Sequence, residues 1–209
     1  MAVVLTGLHY KENYSHFSGA VFNIDYRPYM ANIKKHIYDY FRNAYDIDTF
    51  VCTDDTIKKD ELLKSYKPVN HLIVDCDANQ KKLKGLQMLI HHIQTTKTRY
   101  EVVLLTRFDI YMVESFTSSN LNLQKLNIVS VLEQDHLCDD NLFVFPIQYL
   151  LGFTKLLHDR LLEPYNNLVL HNMKKTFEKH MPINYIHNEP GKLVRELSFF
   201  KLRVFDKTS

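Results

Sequence analysis

Cysteine is scarce in this sequence, and what there is of it argues against two fold types. Cys52, Cys76 and Cys138 form an odd set without zinc-type spacing. They suit neither a disulfide framework nor a structural zinc site, and fit a reducing compartment. Glycine and proline are also few, 5 and 6 of 209 residues, and 45% of the chain is hydrophobic, far from the signature of disorder. No apolar stretch approaches the roughly 20 residues of a transmembrane helix. The apolar run Ala2–Leu5 is too short for the core of a signal peptide, so a cytoplasmic location is the expectation. With a net charge of +2 and no basic run beyond pairs such as Lys58-Lys59 and Lys81-Lys82, neither duplex nucleic acid nor an anionic membrane is implied as a partner. No G-x-G-x-x-G or G-K-[ST] follows a strand-like run, which removes the dinucleotide oxidoreductases and the P-loop enzymes. Internal repeats, low-complexity tracts and Gly/Ser linkers are absent too, so residues 1–209 read as a single domain.

What is present is an alternation of strand and helix patterns. Ala2–Thr6 is a short apolar, β-prone run closed by Gly7, and "LHYKENYSHFSG" after it reads as a long polar and aromatic loop. Helical spacing of Ile33, Ile37, Tyr40 and Phe41 predicts a helix over about 28–44, with Pro28 in its first turn. "DTFVCT", "HLIVD" and "EVVLLT" read as strands, and "DELLKSY" as a short helix. Leu83, Leu86, Leu89, Ile90 and Ile93 form the apolar stripe of a helix over about 80–96, capped by Asp77 or Asn79. Later, "NIVSVL", "NLFVFP" and Leu197–Phe205 look like strands, while 148–162 and 167–180 look helical. The order argues for an α/β fold: a mostly parallel sheet covered by helices on both faces.

In open α/β sheets, ligands bind outside the carboxyl ends of the strands. That rule singles out the acidic strand ends: Asp54 and Asp55, Asp75 and Asp77, and Asp109. The stretch "VVLLTRFDIYM" is the most informative, because a dry strand runs directly into Arg107, Asp109 and Tyr111 at alternate positions. An exposed Arg107–Asp109 pair would contribute only about 0–1 kcal/mol; a functional pair would meet a ligand. "DHLCDDNLFVFP" offers a second acidic pair, Asp139 and Asp140, ahead of a strand. Adjacent residues on an extended chain face opposite ways, so one of the two points into a site and which one is open.

The Arg107-Phe108-Asp109 and "DHLCDDNLFVFP" segments resemble glycosyltransferases of the GT-A type, whose sheet carries an acidic D-x-D motif at the end of its fourth strand. They look like the R-x-D version found in small glycosyltransferases encoded by large DNA viruses of algae, for which the location would be host cytoplasm. The resemblance implies a GT-A-like (Rossmann-like) single domain, with a nucleotide-binding half over 1–112 and an acceptor-side half over 113–209. It implies transfer of a sugar from a nucleoside diphosphate sugar, UDP foremost, to a hydroxyl of a glycan or glycoprotein. Mn2+ or Mg2+ would be held by Asp109, and Arg107 stands where the family has its first acid. Asp139 or Asp140 would be the catalytic carboxylate: a base if the anomeric centre is inverted, a stabiliser of the cationic sugar if it is retained. Thr6, Gly7 and Asp54 would contact base and ribose, with Tyr111 stacking on sugar or base. Asp25 and Arg27 in "IDYRPY" could reach the same pocket. "YIHNEPGK" is similar to a C-terminal segment that supplies a metal ligand and a phosphate contact in some GT-A enzymes, which implies His187 and Lys192 in those roles. Two other functions stay open: a haloacid-dehalogenase-like phosphatase with Asp75 as nucleophile and Asp77 as acid/base, and a noncatalytic nucleotide-sugar-binding module.

Overall fold

The computed structural model of the chain describes residues 1–15, 21–113, 116, 119–129, 138–163, 170–186 and 200–202, without the side chains of 22, 171 and 200–202. In chain order the elements begin with β1 (Ala2–Gly7), β2 (Tyr10–Ser15) and β3 (Val21–Asp25). Then come α1 (Arg27–Ile33), a π-helical stretch (Lys34–Tyr38), α2 (Asp39–Phe41), β4 (Asp48–Thr53), α3 (Lys59–Tyr66) and β5 (Asn70–Ile73). The long helix α4 (Ala78–Thr96), β6 (Val102–Arg107) and β7 (Ile110–Met112) follow. The remainder is β8 (Leu126–Ile128), β9 (Leu142–Pro146), α5 (Leu150–Leu161), α6 (Lys174–His180), β10 (Ile183–Tyr185) and β11 (Phe200–Leu202). Among the described residues no helix is long and apolar enough to cross a membrane.

Seven strands form one sheet in the order β10-β8-β9-β6-β1-β4-β5. All pairings are parallel except those of β9, which runs against both β6 and β8. The continuous apolar runs at β1 and β6 follow from burial on both faces. Val3, Leu5, Val51 and Leu104 face α1 and α3, packing with Tyr29, Ile33, Leu62 and Tyr66. Val4, Phe50, Val103 and Leu105 face α4 and α5, packing with Leu83, Leu86, Leu89 and Phe153. A fully buried Val or Leu side chain contributes about 1.5–3 kcal/mol, so this double layer anchors the strand ends. The expected mostly parallel sheet flanked by helices is the observed architecture.

Several expectations change in detail. The supposed loop after β1 is a two-stranded antiparallel ribbon, β2 with β3, apart from the main sheet. The helix over 28–44 widens into a π-helical turn at Lys34–Tyr38 and ends at Phe41. Part of "NIVSVL" and of Leu197–Phe205 is strand: β8 joins the main sheet, and β11 pairs antiparallel with β7. The helices expected over 148–162 and 167–180 are α5 and α6, the latter starting only at Lys174.

Helix α4 deserves its close seat on the sheet to one residue. A Cβ on Gly85 would lie 2.9 Å from Val4 Cγ1 and 3.2 Å from Thr6 Cγ2. Glycine there lets the helix backbone approach β1 directly, and Asp77 caps the helix start by accepting from the N–H groups of Asn79 and Gln80.

Candidate functional site

The carboxyl ends of β1, β4, β5 and β6 lie side by side, as parallel strands require. Between the first three opens a cleft of about 520 Å³ lined by Leu8, Tyr10 and Lys11, by Asp54, Asp55 and Thr56, and by Ile73, Val74 and Asp75. Asp54 Oδ1 is 2.8 Å from the Lys81 ammonium. Its Oδ2 is buried and has no hydrogen-bond partner among the described residues. A buried acceptor without a donor is costly, about 1–3 kcal/mol, unless a ligand supplies one.

One wall of this cleft is pinned by a histidine that the sequence did not bring forward. Gly7, at φ +107°, turns the chain out of β1, a conformation open to glycine and strained for other residues. His9 then drops into the interior. Thr53 Oγ1 donates to the Gly7 carbonyl at 2.7 Å, so the 2.6 Å contact with His9 Nδ1 requires a proton on that nitrogen. His9 Nε2 accepts from Thr56 Oγ1 at 2.7 Å. Burial pushes the His9 pKa down to about 4, against the opposing pull of Asp54 and Asp25, so the ring is neutral and fixed in one tautomer.

At the end of β6 the chain alternates charge and anchor. Phe108 is buried against His9 and Tyr66, with ring centroids 6.1 and 5.9 Å away, so Arg107 and Asp109 both turn from the core to one another. Arg107 Nε and Nη2 donate to Asp109 Oδ1 and Oδ2 at 2.7 and 2.6 Å, and Nη1 reaches Asn141 Oδ1 at 3.3 Å. Asp109 is only 4% exposed. Burial opposes the Arg107 charge, but Asp109, with Asp140 and Asp139 beyond it, holds its pKa above the usual arginine value. The pair is a mostly enclosed fork, not a surface contact.

The antiparallel pairing of β9 with β6 sets Thr106 opposite Leu142, so the acidic segment before β9 meets the charged end of β6. Thr106 Oγ1 donates to the Asn141 carbonyl at 3.0 Å. Asp139 is turned inward and fixes the bend, accepting from Asn141 N at 2.9 Å and from its Nδ2 at 3.1 Å. Asp140 faces the other way, where the Lys82 ammonium donates to its Oδ2 and to its carbonyl, each at 2.8 Å. The Asp140 side chain keeps 14% of its surface exposed.

The structure thus brings Arg107, Asp109, Asp139 and Asp140 together, with Asp54 and Gly7 one or two strands away. Thr6 is fully buried under α4, with its hydroxyl donating to the Thr106 carbonyl at 3.3 Å, which leaves it no side-chain atom for a ligand. Tyr111 stands 38% exposed on β7, beyond Asp109. Asp25 and Arg27 pair with each other beside the cleft, and Arg27 also approaches Glu61. Asp77 is spent on the α4 cap, the wrong employment for an acid/base partner of Asp75. His187 and Lys192 lie outside the described residues. Lys81 and Lys82, read from the sequence only as a basic pair, are both buried at the site.

As a cation ligand Asp109 fits poorly in this arrangement. Each of its oxygens already accepts from Arg107, so a metal there would share both with a guanidinium. Among the described residues no three His, Cys, Asp or Glu side chains gather into a set that could hold a metal ion.

No known protein family matches the sequence, and no curated protein sequence matches it. Solved structures do show a likeness. A nucleoside-diphosphate-sugar pyrophosphorylase from Vibrio cholerae RC9 aligns at 8% identity and a TM-score of 0.48, covering 90% of this chain and 92% of that one. The apo-form glycosyltransferase GlyE of Streptococcus pneumoniae TIGR4 aligns at 11% identity and a TM-score of 0.45, over 88% of this chain and 44% of that one. A glycosyltransferase involved in glycosylation of the major capsid of PBCV-1 aligns at 12% identity and a TM-score of 0.46, covering 90% and 81%. Likeness at this level does not reach substrate or chemistry, which rest on the residues described above.

Proposed function

We propose that the protein is a GT-A-like glycosyltransferase that uses a nucleoside diphosphate sugar, UDP-linked in the first instance, and a glycan or glycoprotein hydroxyl as acceptor. One observation carries this: the β6–β9 pairing sets Arg107–Asp109 against Asp139–Asp140–Asn141, beside a cleft of nucleoside size. Neighbouring strands are about 4.8 Å apart, so an extended ligand seated over β4 and β1 continues directly to the end of β6.

In this arrangement the Asp54 carboxylate, in the lining of the cleft, accepts a base N–H such as the one uracil carries at N3. Arg107 has five N–H groups, three of them engaged by Asp109 and Asn141; the other two face the diphosphate. The bond between the anomeric carbon and the β-phosphate oxygen breaks, its electron pair leaving on the nucleotide, and the acceptor oxygen bonds to that carbon. The acceptor proton passes to the Asp140 carboxylate if the centre inverts, or to the departing phosphate oxygen if it is retained, with Asp140 then stabilising the cationic sugar.

Calorimetric titration with UDP, GDP and CMP, with and without manganese, tests this. UDP is expected to bind more tightly than CMP, and equal or absent heats across the panel would remove the transferase. Heat seen only with manganese would show that the Arg107 fork opens to admit a cation.

A further inference from the structure

Two buried lysines remain without a role. Lys81 and Lys82 occupy the first turns of α4, where the helix dipole disfavours cations. Burying an ammonium adds a desolvation cost, and well-packed apolar residues would serve stability as well or better. Yet both side chains are almost wholly enclosed, at 6% and 2% exposure.

Their partners explain the placement. Lys81 Nζ lies 2.8 Å from Asp54 Oδ1 and also donates to the Cys76 carbonyl. Lys82 Nζ binds the carboxylate and the carbonyl of Asp140. Consecutive helical residues diverge by about 100°, so one turn of α4 sends one ammonium to the end of β4 and the other to the start of β9. Those strands are separated by β1 and β6, roughly three strand spacings or about 14 Å. Gly85, one turn further on, seats the helix against β1 closely enough for both arms to reach.

We propose that Lys81 and Lys82 are positioning residues that lock the cleft carboxylate Asp54 and the reacting-end carboxylate Asp140 to a single rigid turn of α4, fixing the distance between the two ends of the bound donor. This rests on the transferase function proposed above. Lys81 acts through Asp54 on nucleotide binding, and Lys82 acts through Asp140 on the transfer step. A helix that merely needed two buried ion pairs would couple both lysines to both properties equally.

The test is a crossed comparison of Lys81→Met and Lys82→Met, each checked by thermal unfolding. Affinity for UDP is read by calorimetry, and turnover by release of sugar from UDP-glucose and UDP-galactose. Lys81→Met is expected to weaken UDP binding about tenfold or more and to leave kcat at saturating donor within about threefold. Lys82→Met is expected to leave UDP affinity within about twofold and to lower kcat on the order of 10–100-fold, the cost of a misplaced reacting group. If Lys82→Met does not fold, Lys82→Arg keeps the charge with a different reach and is expected to show the same split. Parallel loss of both properties in both variants, or no change in either, overturns the proposal. Wild-type protein that neither binds UDP nor turns over either sugar nucleotide refutes the transferase itself before any variant is read, and the positioning role falls with it.

Discussion

The cleft and the charged cluster sit on the same edge of the same sheet, yet they treat charge in opposite ways. In the cleft, Asp55 is largely exposed with a surface partner, Lys59, and Asp54 keeps one oxygen unmatched. At the end of β6, Arg107 grips Asp109 and reaches Asn141, Asn141 holds Asp139, and Lys82 holds Asp140, all of them buried or nearly so. Carboxylates lining a cleft suit recognition of a ligand that brings its own donors. Interlocked charges suit a place where geometry must not change during a reaction, because each group is tied to its neighbour by two hydrogen bonds. The difference also separates stability from binding at the exposed positions: Asp55 and Asp75 of the cleft can change with little effect on the fold, whereas the cluster cannot.

The largest effect expected from that contrast is on stability. Asp109→Ala strands the buried Arg107 guanidinium, and loss of one partner of a buried pair costs about 3–5 kcal/mol. Asp55→Ala, by contrast, removes an exposed pair worth about 0–1 kcal/mol. Urea unfolding of the two variants side by side measures this, and a comparable shift in both would erase the distinction. Next in size is Gly85→Val. Its Cβ has no room against Val4, so α4 must lift from β1 at a cost of about 1–3 kcal/mol. Because α4 carries Lys81 and Lys82, UDP affinity and turnover are expected to fall together in this variant, unlike the split expected of the single lysines.

Sequence reading reached the parts of this molecule that are locally determined. β1, β4 and β6 announce themselves because strands buried on both faces are apolar without interruption, and Asp77 or Asn79 marks the start of α4 by capping chemistry, the structure assigning the cap to Asp77. The β2–β3 ribbon was hidden because "YKENYS" is wet on both faces and so lacks an alternating pattern. β7 and β10, at three residues each, are too short to carry a period. The direction of β9 leaves no mark in its own residues. Yet that direction is what joins "RFD" to "DD", so both motifs were visible in the sequence but not their contact. Lys81 and Lys82 had one legible signal: Lys82 falls four and seven residues before Leu86 and Leu89, on the apolar stripe, where an unpaired ammonium would not be tolerated.

Acidity probes the boundary between the two regions. His9 has its folded pKa near 4, below an unfolded value of about 6.5, so the unfolded chain takes up a proton that the folded chain refuses. Its contribution is complete above about pH 6.5 and is lost as pH falls toward 4. The slope it adds is at most about 1.4 kcal/mol per pH unit. His9→Gln is expected to flatten the stability profile over that window, as read by urea unfolding at a series of pH values. A profile unchanged by the substitution would mean that His9 does not pin the cleft wall.

The smallest structural effect belongs to Asp75, which makes it the cleanest probe of chemistry. Asp75 lines the open cleft at the end of an edge strand, so Asp75→Ala is expected to shift stability by less than about 0.5 kcal/mol. A phosphatase would need Asp75 as its nucleophile, with Asp77 free to move protons. Asp77 instead accepts from two backbone N–H groups at the start of α4, which holds it as an acceptor. Neither the wild type nor Asp75→Ala is therefore expected to hydrolyse p-nitrophenyl phosphate, and Asp75→Ala is expected to alter UDP affinity alone. Hydrolysis by the wild type that disappears in the variant would make the cleft, not the cluster, the place where bonds are broken.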